Sequence, residues 1–245
     1  METPRFTTRL AQSEADLRAA QRLRYEVFVE EMGAKASEAD HAERLERDRF
    51  DEHFDHLLLL DGPKIVGAYR LMRSEMATKG IGFYSAAEFD LSKLQGQRAL
   101  ELGRSCVAKA YRGGVGLHLL WDALGDYVTR HEINILFGVA SFHGTQIAPL
   151  KQALTYLHHK SLAPEDLRVR SKAYVSLDQM AWETVDQRAA VKEIPPLIRA
   201  YLRLGGFVGD GAFIDHGFNT VDVCLIMDTA RMVRRYKAYY SKERK

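Results

Sequence analysis

The stretch "ALELGRSCVAKAYRGGVGLHLLW", residues 99–121, puts a carboxylate, a guanidinium and a glycine-rich turn into one run. Glu101 and Arg104 lie inside an apolar, strand-like segment; Arg112, Gly113, Gly114 and Gly116 come next, before Leu and Trp resume at helical spacing. Glycines at a strand-to-helix turn let backbone amides approach a ligand closely, and amides freed at a helix N-terminus favour anions such as phosphate. A tight turn that uses glycine for backbone convenience is the plainer reading of the same residues. Glu101 and Arg104 are an odd number of residues apart, so a regular strand would face them to opposite sides. A bulge at Gly103 would reconcile them and leave unpaired amides for an extended ligand arm. A carboxylate beside a splayed strand, with an amide-rich turn at its end, suits acyl transfer from a thioester held by its pantetheine arm. The attacking amine arrives as an ammonium and must lose a proton, which gives Glu101 a task. Pairing with Arg104 is its purely structural alternative.

A second group carries charge into apolar surroundings. Arg24 stands one helical turn before Phe28, and Arg70 interrupts the apolar run "GAYRLM". A guanidinium in such a place needs an acidic partner. Asp48 and Asp51 in "DRFD" are the candidates, with a solvated surface as their plain reading. Together Arg70, Arg104, Asp48 and Asp51 offer cations for an α-carboxylate and anions for a side-chain ammonium. Asp51, His53, Asp55 and His56 are close enough in sequence to suggest a metal site, but the chemistry above proceeds without one and no metal is expected. His143 and the pair Asp215-His216 have no strained Ser or Cys motif beside them, so no covalent acyl-enzyme is expected.

Elements must position these groups. Ser13 with Asp16 resembles a capping box, and Leu17, Ala20, Leu23, Val27 and Phe28 continue at helical spacing up to Gly33. Residues 35–49 read as a mobile connection or a loose helix. Gly62-Pro63 between "HLLLLD" and "KIVGAYRLM" predicts a hairpin. A strand over Leu100–Val107, a helix carrying Leu117, Leu120, Trp121, Leu124, Tyr127 and Val128, and a buried strand "INILFGVASF" come next, with a helix over Thr145–His158. "RVRSKAYVSL" is a possible strand and "ETVDQRAAVKE" a polar linker. Pro195-Pro196 opens a helix that Gly205-Gly206 ends, and "TVDVCLIMD" is a last buried strand. Strands alternating with helices predict an α/β sandwich around a mixed sheet.

Composition bounds the partners. Among 245 residues, 35 Lys and Arg against 33 Asp and Glu leave a charge of +2, too balanced for nucleic acid as the main partner. Cys106 and Cys224 sit apart in apolar runs, which fits a reduced cytosol rather than a disulfide or zinc site. No run approaches the length of a bilayer span, and a cytoplasmic protein is expected. The chain reads as one domain over 1–245, with an insert at about 35–53, a looser segment at about 160–193 and a basic tail at 231–245. That tail has seven basic residues against one acidic, with aromatics between them. A solvated helix, a carrier-protein dock and a contact with an anionic membrane surface all fit it.

The strand and the "RGGVG" turn resemble the acyl-CoA site of the GCN5-related N-acetyltransferases, a three-layer α/β sandwich with a mixed central sheet. "LRYEVF", "DRFD", "GAYRLM" and "ELGRSCV" resemble, in order and spacing, the acyl-homoserine lactone synthases of that fold. The bacterial ornithine-lipid N-acyltransferases are closer still, through "LELGRSCV", "LFGVASFHGT" and the distal "PPLIRAYLRLGGFVGDGAFIDHGFNTVDV", covering about residues 20–228. The lactone synthases usually carry a Trp soon after "VF", where this chain has "EMGAK", and that disfavours lactone synthesis. The resemblance implies transfer of a 3-hydroxyacyl chain from acyl carrier protein to the α-amine of L-ornithine, giving lyso-ornithine lipid. It implies Glu101 and Arg104 as catalytic residues and Arg24, Phe28, Asp48, Asp51 and Arg70 at the acceptor. Cys106, Val107, Arg112, Gly113, Gly114 and Gly116 would bind the donor, whose own 4'-phosphopantetheine makes any further cofactor unnecessary. The glycine turn leaves acyl-CoA open as donor. Another N-acyl amino acid or lactone synthase, or a non-catalytic carrier-protein or lipid-surface module, remain the alternatives.

Overall fold

The computed structural model describes residues 6–231. In chain order its elements are β1 (Phe6–Leu10), α1 (Glu14–Arg24), α2 (Glu38–Glu43), β2 (Asp55–Asp61), β3 (Lys64–Arg73), α3 (Ser74–Lys79), β4 (Phe89–Asp90), β5 (Ala99–Val107), α4 (Gly116–Arg130) and β6 (Ile135–His143). Then come α5 (Lys151–Ser161), β7 (Arg170–Ser171), α6 (Gln187–Glu193), α7 (Pro196–Arg203), β8 (Phe207–Val208), β9 (Phe213–Asp215) and β10 (Thr220–Asp228). This is the mixed α/β pattern expected. The chain forms two compact units: residues up to Gly82 with Leu102–Glu132, and Phe83–Glu101 with the residues from 133 onward. The basic segment 231–245 lies outside the described residues except for Arg231, which pairs with Asp166 and Asp228. No helix among the described residues is long and apolar enough to cross a membrane.

In the first unit, β1 pairs antiparallel with β2, and β2 with β3 across the Gly62-Pro63 turn. The later half of β5 runs on beside β3, and Ala108 N donates to Val66 O at 2.8 Å just past the end of β5. Ser13 caps α1 by accepting from Asp16 N at 3.2 Å, as the sequence predicts. The apolar spacing predicts one helix to Gly33, but the last stretch, Tyr25–Glu31, is a π-helix. Its wider turn buries Tyr25, Val27 and Val29 and leaves Phe28 half-buried against the core of Ala20, Leu23, Leu58, Ala68 and Cys106. The 35–49 connection contains α2, capped by Ser37, and the fully buried Leu45 anchors the chain just beyond that helix. Strand β1 has too few apolar residues to be read from sequence; its pairing with β2 is what makes it a strand.

In the second unit, β5 starts parallel to β6 over three pairs, from Ala99↔Ile135 to Glu101↔Phe137. Strand β6 pairs antiparallel along its length with β10, whose other side takes β8 and β9. The apolar face holds Phe89, Ile135, Phe137, Val169, Cys224 and Ile226. Helix α7 begins at Pro196, as predicted. Two readings need correction. "RVRSKAYVSL" supplies only the two-residue β7. "DQRAAVKE" is not linker but a capped helix, α6, because the Asp186 carboxylate accepts from Arg188 N and Ala189 N and Ala190 docks with no exposure.

Candidate active site

The first unit gathers three arginines and three carboxylates into a closed ring of alternating charge. Arg24 donates through Nε to Glu46 at 2.5 Å and through Nη1 and Nη2 to Asp51 at 2.7 and 2.8 Å. Arg70 Nη1 bridges Asp51 and Asp48, each at 2.8 Å. Arg104 returns to Asp48 through Nη2 at 3.3 Å and to Glu46 through Nε at 3.0 Å. Helix α1 brings Arg24, strand β3 brings Arg70 and strand β5 brings Arg104, while the acids come from the loop after α2. Arg24 and Arg70 are each 1% exposed, so their charges could not be tolerated without these partners. Burial alone would raise the Asp51 carboxyl; the hydrogen bonds and charge of Arg24, with Arg70 behind them, instead hold it well below the usual carboxylate range. Burial opposes ionisation of Glu46 in the same way, and Arg104 and Arg24 overcome it. Gln21 Nε2 donates to Asp51 at 2.9 Å. His56 Nε2 lies 2.9 Å from the Asp51 carbonyl oxygen, which requires the proton on that nitrogen, and burial pushes the imidazole's pKa down. Beside the ring a cavity of about 690 Å³ is lined by Gln12, Leu17, Gln21, Asp48, Asp51 and Phe54, among others.

Glu101 belongs to the second unit. Its carboxylate is 2% exposed and accepts from Tyr84 N at 2.8 Å, from Ser85 N at 2.6 Å and from the Ser85 hydroxyl. These donors lie on the 3-10 turn Tyr84–Ala87 and fix the carboxylate's orientation. The left-handed residue that turns β5 after Glu101 is Arg104 itself, at φ 51°, rather than Gly103. This departure from regular strand geometry accompanies the approach of Arg104 to Glu46 and Asp48, at an αL cost of about 1–2 kcal/mol.

The glycine turn is real but its residues divide the labour. Gly113 has φ 78° and nothing within 4 Å of where a side chain would be; Gly114 is nearly as open, with Tyr111 O at 4.0 Å. Helix α4 begins without a side-chain cap, so its first amides remain available to an anion. Gly116 is different: a Cβ there would meet Leu59 Cδ2 at 3.0 Å, so the absence of a side chain also lets α4 pack on β2. Arg112, expected at the donor phosphate, instead grips Glu31 through two bonds and the Val107 carbonyl through Nε. The Cys106 side chain, also expected at the donor, is in the core, and burial pushes its thiol up to about 12. Asp55 receives the Tyr127 hydroxyl at 2.5 Å, and the clusters of metal-capable groups among the described residues do not include Asp51, His53, Asp55 or His56.

Residues 23–122 match the acetyltransferase (GNAT) domain family. The L-ornithine N(alpha)-acyltransferase of Rhodobacter capsulatus is 52% identical over 246 residues, covering 97% of this chain and 95% of that protein. The chain belongs to the L-ornithine N(alpha)-acyltransferase family. The family's protein from Brucella abortus is 44% identical, covering 96% of this chain and 88% of its own. Among solved structures, the N-acyl amino acid synthase FeeM, from uncultured soil microbes, superposes with a TM-score of 0.56 over 96% of this chain and 99% of its own, at 12% identity. The CoA-dependent acyl-homoserine lactone synthase MesI gives 0.52 at 16% identity, covering 96% and 95%. These two show the shared GCN5-related N-acetyltransferase fold. The family membership makes the protein an acyltransferase.

In this family member the structure brings Arg24, Asp48, Asp51, Arg70 and Arg104 together as expected, and adds Glu46, which the sequence did not single out. A signal existed: Glu46, Asp48 and Asp51 form an acidic run in "LERDRFD", and three arginines in apolar surroundings call for more than two acids. Ser85 gives no such signal, because it acts on Glu101 through both a backbone amide and a hydroxyl.

Proposed function

We propose that this chain transfers a 3-hydroxyacyl group from acyl carrier protein to the α-amine of L-ornithine, giving lyso-ornithine lipid. The observation that carries this reading is the 52% identity, across nearly the whole of both chains, with a protein named for acylating that amine. The geometry supports it. Glu101, held by Tyr84 and Ser85, accepts a proton from the ammonium directly or through water. The free amine attacks the thioester carbonyl, the C–N bond forms, and the tetrahedral intermediate collapses with loss of the pantetheine thiolate, which takes up a proton. The open space beside Gly113 and Gly114 and the uncapped start of α4 suit the single phosphodiester of a pantetheine arm. Most of the rate comes from holding amine and thioester together and from dipoles aimed at the oxyanion. The donor's own arm leaves as the free thiol, and the reading calls for no further cofactor. The basic tail, residues 231–245, adds attraction for an anionic partner, whether the carrier protein or a membrane surface.

The test is the purified full chain with 3-hydroxyacyl carrier protein and, separately, 3-hydroxyacyl-CoA, against a panel of amino acids, read by mass spectrometry. Nα-acyl ornithine from the carrier-protein donor is the expected product. Product from CoA alone overturns the donor; product on another amine overturns the acceptor.

A further inference from the structure

The second unit holds another acidic constellation, on the sheet face that carries Glu101. Carboxylate oxygens of Glu88, Asp215 and Asp222 lie within 4.8 Å of one another. Glu88 and Asp222 are buried and Asp215 is half-buried, so the trio comes nearest to solvent at Asp215. The register sets Thr220 directly opposite Asp215 and two residues before Asp222, so all three side chains point from one face of the β9–β10 pair. Thr220 is 3% exposed, and its Oγ1 has no hydrogen-bond partner among the described residues. A buried hydroxyl left open beside three carboxylates marks a place shaped for a small cation that donates hydrogen bonds.

Ser85 donates to Glu101, and Glu88 N donates to Ser85 O at 3.1 Å, so Glu101 and Glu88 flank one 3-10 turn. Ornithine carries two ammonium groups, so one molecule can offer its α-ammonium to Glu101 and its side-chain ammonium to the trio. Burial pushes the Cys224 thiol up, and the charges of Glu101 and Glu88 add to it. Asp48 and Asp51, the sequence-based candidates for the ammonium, already receive arginines, so an ammonium there must compete with guanidiniums.

We propose that Glu88, Asp215 and Asp222, with Thr220 Oγ1, hold the side-chain ammonium of the amino-acid acceptor and thereby set its specificity. This rests on the acceptor reading given above. The experiment uses the full chain, wild type and three variants: Asp215→Asn, Asp222→Asn and Glu88→Gln. Asp215→Asn keeps a carbonyl for the Gly217 and Phe218 amides that Asp215 now holds, and so protects the fold. Acylation of ornithine and norvaline in one tube gives a ratio, and the melting temperature with each amino acid gives binding. In the wild type the ratio exceeds about 100, as for sites that leave buried polar groups unpaired when the wrong substrate enters. In the folded variants the ratio falls by at least ~10-fold and the ornithine-induced melting shift disappears. Folded variants that keep the ornithine ratio overturn the subsite. So does a melting shift with Mg²⁺ or Ca²⁺ that the variants lose while the ratio stands, which would make the trio a metal site. An ornithine shift that depends on Asp222 without any acylation retains the subsite and overturns the acylation reading instead.

Discussion

Removing the charge of Asp51 while keeping its shape, as in Asp51→Asn, strips two guanidiniums of a shared counter-charge, and both are essentially without solvent. Breaking a buried pair by removing one partner costs about 3–5 kcal/mol. Urea denaturation of Asp51→Asn should show a loss of that size, and Asp48→Asn, whose side chain keeps 20% exposure, a smaller one. Equal losses would mean that the ring acts as one unit rather than through Asp51. Glu101→Gln keeps an oxygen for Ser85, so the fold should survive while turnover falls by roughly 100-fold or more. Normal turnover in that variant would exclude Glu101 as the base. At this scale the sequence was legible where a charge interrupts an apolar pattern, as at Arg70 and Glu101. It was silent where a group acts through its backbone, as at Ser85, or sits in an already polar run, as at Glu46.

In the reading proposed above, the turn between β5 and α4 offers the donor contact at Gly113 and close packing at Gly116 within a few residues. Gly113→Ala forces a side chain into φ 78° and the open space beside it, at a strain of about 1–2 kcal/mol. Donor KM should rise with acceptor KM little changed. Gly116→Ala should instead lower the melting temperature, because its Cβ presses on Leu59. If Gly116→Ala raises donor KM as strongly as Gly113→Ala, the division is wrong. Elements with a strong period, such as α4, β6 and β10, were readable from the chain alone. Strand β1 and the short β8 and β9 were not, because their strand character comes from a pairing partner and not from their own residues. The helix α6 was hidden by its polarity, since one buried Ala190 gives no periodic signal.

Across the whole molecule, buried ionisable groups set how stability responds to acid. Burial holds His56 neutral, so as pH falls through about 6.5 the unfolded chain takes up a proton that the folded chain refuses, and stability begins to drop. Asp51 and Glu46 have folded values below their unfolded ones. Their contribution is complete above about pH 4 to 5 and is lost as pH falls further, through the folded values. Melting temperature should therefore decline in two stages between pH 7 and 3, and His56→Gln should flatten the first; a flat profile in the wild type down to pH 5 would contradict a buried neutral imidazole. The mixed α/β class was legible, but the division into two units was not, because each unit is assembled from segments distant in the chain. The order of the strands in the second unit also has a consequence for synthesis. Strand β6 is finished at His143, yet its partner along its full length, β10, begins only at Thr220. At ribosomal rates of about 5–20 residues per second, one apolar edge of β6 waits on the order of ten seconds for its neighbour. During that wait the nascent chain offers an open strand edge to any other chain, so its yield in a crowded cell should depend on holdase chaperones well before the enzyme has a substrate to meet.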